Sequence, residues 1–97
     1  MSAIETRCGP AQDGWRCTVT VRDDRGSSTH DVTVSSDHAT ALAAATDAND
    51  VARLLYETFD FLLEREPKES ILRSFDLSVV SQYFPEYEHE IRSRLAP

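Results

Sequence analysis

Ninety-seven residues carrying 10 Lys+Arg against 17 Asp+Glu, a formal net charge of −7, describe one small acidic domain. A chain of that length closes on a single core with a radius of gyration of about 12–13 Å, and its 40% hydrophobic and 28% charged content argues against wholesale disorder. The longest all-apolar run, Ala41–Ala45, is too short for a membrane span, and such an acidic chain lacks the clustered Lys and Arg with which proteins track phosphates.

The first five residues show neither a basic start nor an apolar stretch, so no signal peptide is expected and the location is read as cytoplasmic. Ile4, Thr6 and Cys8 alternate with Glu5 and Arg7, which predicts a strand over about 3–8. Gly9 to Gly14, with Pro10 and Asp13, reads as the loop that follows. Trp15, Cys17, Val19 and Val21 alternate with polar residues over about 15–23, and His30, Val32 and Val34 do so over about 28–35. Asp23 to Ser27 supplies the turn between them. The front of the chain is thus expected to be a three-stranded antiparallel meander with one apolar face.

Helices must cover that face. Ser36 is placed to cap a helix over about 37–45, and Asp47 to cap a longer one over about 48–65, with Asp50 as an imperfect capping box. Val51, Leu54, Leu55, Thr58, Phe59 and Leu62 recur at helical spacing, and Phe61 and Leu63 widen the stripe. Pro67 ends this helix. Ile71, Leu72 and Phe75 predict a helix over about 68–75, and Val79, Val80 and Tyr83 one over about 78–83. Pro85 opens the last, over about 85–95. The expected fold is α+β, a single domain over 1–97 with the meander covered by three to five C-terminal helices.

Chemistry is sparse. Cys8 and Cys17 fall on the core-facing parity of adjacent strands, where a disulfide is geometrically possible, but the cytoplasmic reading favours two buried thiols. Glu86 and His89 supply only half of a di-iron carboxylate pattern. His30 and Asp31 are strand neighbours and point to opposite faces, and His38 sits in a first helical turn. No nucleophile elbow or phosphate loop is present. No catalytic residue, metal ligand or cofactor is therefore assigned.

The segment from Phe61 to Tyr87, FLLEREPKESILRSFDLSVVSQYFPEY, resembles a family of small uncharacterised prokaryotic proteins of similar length with a strand-rich front. The resemblance covers about a third of the chain and implies no activity or ligand residue.

The leading expectation is a small non-enzymatic protein working through protein contacts, with a separate protein or a second copy as partner. Its candidate surface is the mixed-charge corner at Arg65, Glu66 and Lys68, Arg73 nearby, and the tyrosines Tyr56, Tyr83 and Tyr87. An alternative is a nucleic-acid-linked regulator, because helices at 68–75 and 79–95 would outline a helix-turn-helix. Glu86, Glu88 and Glu90 would repel phosphate there, which disfavours direct binding and leaves nucleic-acid mimicry. An enzyme without a recognisable motif ranks third.

Overall fold

The alternating residues of the N-terminal third form long strands because every second side chain has a core to enter. In the computed structural model, which describes residues 2–96, β1 (Ala3–Ala11), β2 (Gly14–Asp23) and β3 (Gly26–Ser35) make an antiparallel meander. Cys17, Val19, Val21, Val32 and Val34 are buried on one face, while Arg16, Thr18, Arg22, Thr29 and Asp31 on the other are exposed. β1 runs three residues beyond the expected end and the loop shrinks to Gln12–Asp13. Pro10 is compatible with this strand because β1 lies at the sheet edge, where a missing N–H on the outer side costs no ladder bond.

Two glycines serve the turns. Gly26 takes φ +124° at the β2–β3 corner. At Gly14 the constraint is crowding, since a Cβ there would lie 2.1 Å from the Val34 carbonyl oxygen.

Cys8 lies directly opposite Cys17, with Cα atoms 4.1 Å apart, and the two form a disulfide. This corrects the expectation of two thiols: the shorter loop fixes the register that brings them face to face.

The covering layer follows from caps and apolar stripes. α1 (Ser36–Ala43) is capped by Ser35, one residue before the serine expected, through its Oγ accepting from the His38 N–H at 3.1 Å. α2 (Ala48–Leu63) is capped by Asp47, which accepts from the Asp50 N–H at 2.8 Å. Asp50 in turn accepts from the Thr46 N–H at 3.3 Å. The stripe Val51, Leu54, Leu55, Thr58, Phe59 and Leu62 is buried against the sheet and its neighbours, and Phe61 is buried with it.

The helix expected over 68–75 is absent. A single 3-10 turn at Lys68–Ser70 leads instead into a fourth strand, β4 (Ser74–Asp76), parallel to β3, so the sheet is mixed with order β1-β2-β3-β4. The outer edge of β3 needed partners, and this segment supplies them. The Asp31 N–H donates to the Arg73 carbonyl at 2.7 Å, and the Leu77 N–H donates to the Thr33 carbonyl at 2.9 Å. The Thr33 hydroxyl donates to Asp76 at 2.6 Å. Buried His30 completes the attachment: a carbonyl only accepts, so Nδ1 donates to the Leu72 oxygen at 2.8 Å, and Nε2 hydrogen-bonds with the Ser28 hydroxyl at 2.8 Å.

α3 (Ser78–Tyr83) and α4 (Tyr87–Leu95) close the layer; α4 begins two residues after Pro85 rather than on it. Without a helix at 68–75 the helix-turn-helix outline disappears. The radius of gyration is 12.4 Å. Charge divides by layer: residues 1–35 carry 5 acidic and 4 basic side chains, and residues 36–97 carry 12 and 6. The acidity therefore belongs almost wholly to the helical side.

Candidate functional site

Replacing a helix by an extended strap after Pro67 opens a groove. It is a cavity of about 440 Å³ between the C-terminal end of α2, the strap at 70–75, and α3. Leu62, Ile71, Phe75, Val79, Val80 and Phe84 line it, and Leu72 and Tyr83 stand at its margins. Those two are among the most exposed large apolar side chains of the described residues, at 51% and 69%. In an extended strap neighbouring side chains point opposite ways, so Ile71 enters the core while Leu72 is left outside.

The walls are held firmly. Phe75 packs on Phe59, with ring centroids 6.2 Å apart, and Phe59 on His30 at 5.2 Å. Phe84 meets Phe61 edge-on at 5.8 Å. The polar residues of the groove's lining are Glu66, Ser70 and Tyr83. Glu66 also borders a second, more polar concavity beside the Asp23–Arg25 turn and Lys68. Partial burial raises its carboxyl above the usual glutamate range. It is the one carboxylate of the corner 64–69 without an ion-pair partner among the described residues. Apolar walls with one partly desolvated carboxylate have the chemistry to receive an apolar body carrying a cation.

The remaining charges of the corner are spent inside the molecule. Lys68 is buried and donates to Asp23 at 2.9 Å and to Glu69. The bond to Glu69 and the bond to Asp23 raise its ammonium, and Lys68 in turn holds both carboxyls below their ordinary values. Arg65 lies over the Phe61 ring at 3.6 Å and donates to Glu86 and Glu64, each at 3.3 Å. Arg94 joins α4 to α2 by donating to Asp60 at 2.9 Å and to Glu64 at 2.6 Å.

Of the residues proposed from sequence as a contact surface, the structure brings Glu66 and Tyr83 together in the groove. Tyr56, 44% exposed on α2, and exposed Arg73 lie outside its lining. Two placements are corrected. Lys68 is only 3% exposed, and Tyr87 is fully buried. The Thr58 hydroxyl donates its single hydrogen to the Leu54 carbonyl at 2.7 Å, so the Tyr87 hydroxyl donates to Thr58, also at 2.7 Å. Burial pushes that phenol well above its ordinary pKa. Leu72, Phe75, Val79 and Phe84 belong to the groove and were not named as surface; the signal was the pair Ile71-Leu72 after a proline, which an extended strap cannot bury together.

His89 is exposed and Glu86 is committed to Arg65, and no group of three or more His, Cys, Asp or Glu among the described residues could hold a metal ion. Among the described residues no helix is long and apolar enough to cross a membrane. Comparison with protein-family models, with curated protein sequences and with solved structures gave no match.

Proposed function

We propose that this chain is a small non-enzymatic recognition protein whose groove receives an apolar segment of a partner protein bearing Lys or Arg. The observation that carries this is the joint exposure of Leu72 and Tyr83 over an apolar cavity rimmed by Glu66, a carboxylate without an ion-pair partner among the described residues. An occupant that covered Leu72 would remove most of its exposed apolar surface from water, and a cation beside Glu66 would compensate a partly desolvated charge. The excess of acidic groups on the helical layer favours the same sign of partner. The cytoplasmic setting belongs to this proposal.

Peptide display against the whole protein tests the reading. The expected enriched sequences combine Leu, Ile, Phe or Met with a basic residue. Leu72→Glu should weaken them by at least about tenfold, and Glu66→Gln should weaken the basic ones selectively. Selected peptides that bind Leu72→Glu as well as the wild type would remove the groove from consideration.

A further inference from the structure

We propose that the chain also forms a two-fold dimer in which the β1 edge of one copy pairs antiparallel with the β1 edge of a second copy, in register about Thr6. This surface is separate from the groove and does not depend on its function.

The backbone phase of β1 decides which groups face outward. The β1–β2 turn closes with Ala11 opposite Gly14 across a two-residue loop, which makes that pair hydrogen-bonded and the pairs alternate from there. Cys8 opposite Cys17 is then a non-hydrogen-bonded pair, and their Cα separation of 4.1 Å agrees with the closer spacing of that type. The N–H and C=O groups of Ile4, Thr6 and Cys8 therefore point away from β2. No hydrogen bond outside strand pairing uses them among the described residues. Pro10 has the same phase, so its missing N–H lies on the outer side. The result is a nine-residue open edge, ready for another strand.

The side chains select a second copy and one register. Glu5 and Arg7 flank Thr6 on the exposed sheet face. A two-fold axis through Thr6 sets Glu5 of each copy directly opposite Arg7 of the other, twice by symmetry, in non-hydrogen-bonded pairs where side chains come closest. An axis through Glu5 would oppose the two Glu5 side chains, and one through Arg7 the two Arg7 side chains. An axis through Cys8 would place Pro10 opposite Thr6 and lose a donor within the seam. With Thr6 on the axis, Thr6 exchanges both backbone bonds with its counterpart and Ile4 does so with Cys8, while Pro10 falls at the fraying end opposite Ser2. Both charges are free to take this role: Glu5 makes only a 3.9 Å contact with Arg22, both 66% exposed, and Arg7 has no ion pair among the described residues. α2 crosses above this strand, the Thr6 hydroxyl donating to the Ala52 carbonyl at 2.9 Å.

Sedimentation equilibrium on the intact protein, with charge-swapped variants, tests the proposal. Glu5→Arg and Arg7→Glu, each placing like charges opposite twice, should weaken the dimer by at least about tenfold. The double variant carrying both changes restores opposite charges and should return it to within a few-fold of wild type. Amide exchange supplies the register: Ile4, Thr6 and Cys8 should gain protection as concentration rises, while Glu5 and Arg7, bonded to β2, should be protected throughout. Leu72→Glu should leave the dimer intact. A wild type that stays monomeric up to about 1 mM, or a dimer indifferent to the single swaps, or a double variant as weak as its parents, would overturn the proposal.

Discussion

Tyr87 and Thr58 allow the core to be tested against the surface reading of the same tyrosine. Both side chains are fully buried, and the chain of donors runs from Tyr87 to Thr58 to the Leu54 carbonyl, each step 2.7 Å. Tyr87→Phe removes the first bond but leaves Thr58 with its acceptor, so the loss should be about 1 kcal/mol. Thr58→Val keeps the volume and removes the acceptor of a phenol sealed from water. That buried donor then lacks a partner, at about 2–3 kcal/mol. Combining the two changes deletes the stranded hydroxyl. The double variant should therefore be more stable than Thr58→Val alone, and the cycle strongly non-additive. Urea denaturation read by circular dichroism gives the four free energies. Equal or additive losses would refute the chain of donors, and a Tyr87→Phe variant indistinguishable from wild type would return Tyr87 to the surface.

Gly14→Ala drives a Cβ to 2.1 Å from the Val34 carbonyl oxygen, so a loss of about 2–4 kcal/mol is expected in the same assay; a neutral result would refute the close approach. His30→Ala strands the Leu72 carbonyl and opens space beside Phe59, costing about 2–4 kcal/mol. Amide exchange should speed up most at Asp31 and Leu77, whose bonds hold the strap; uniform acceleration would contradict the attachment of the strap through His30. The pH profile separates two signs. The bond from Lys68 depresses Asp23 and Glu69, so their stabilisation is present above the unfolded values of 3.8 and 4.5 and is lost as pH falls through the lower folded ones. Burial raises Glu66 above 4.5, so its protonation stabilises the fold as pH falls through the raised value. The urea midpoint of Glu66→Gln minus wild type should shrink on acidification from neutrality, and Lys68→Met should flatten the wild-type loss below about pH 4. Parallel profiles would refute both assignments.

The meander was legible because one buried face makes a sheet repeat every two residues, as Cys17, Val19 and Val21 do. Asp47 was legible as a cap because its bond to Asp50 is local. What failed depended on contacts distant in sequence. Ile71 and Phe75 are spaced as on a helix, yet β3 demanded a backbone partner that only an extended strap could supply. Lys68 looked like part of a solvated charge run until Asp23, 45 residues earlier, was folded over it. Tyr83 and Tyr87 share composition and spacing, and the packing of α4 on α2 alone decides that one is 69% exposed and the other buried. Of the ten residues that line the candidate groove, two, Glu66 and Tyr83, were visible in the sequence as surface. The rest, Leu72 and Phe75 above all, was hidden by the helix expected there.

The groove itself is tested most directly by mapping where a peptide selected by display binds, using amide and methyl NMR shifts on the whole protein. Shifts concentrated at Leu62 to Glu66, Ser70 to Phe75 and Val79 to Phe84, and lost in Leu72→Glu, are the expected result. Shifts confined to the open sheet face at Arg16 to Arg22 and Thr29 to Thr33, or to α4, would contradict recognition through this groove.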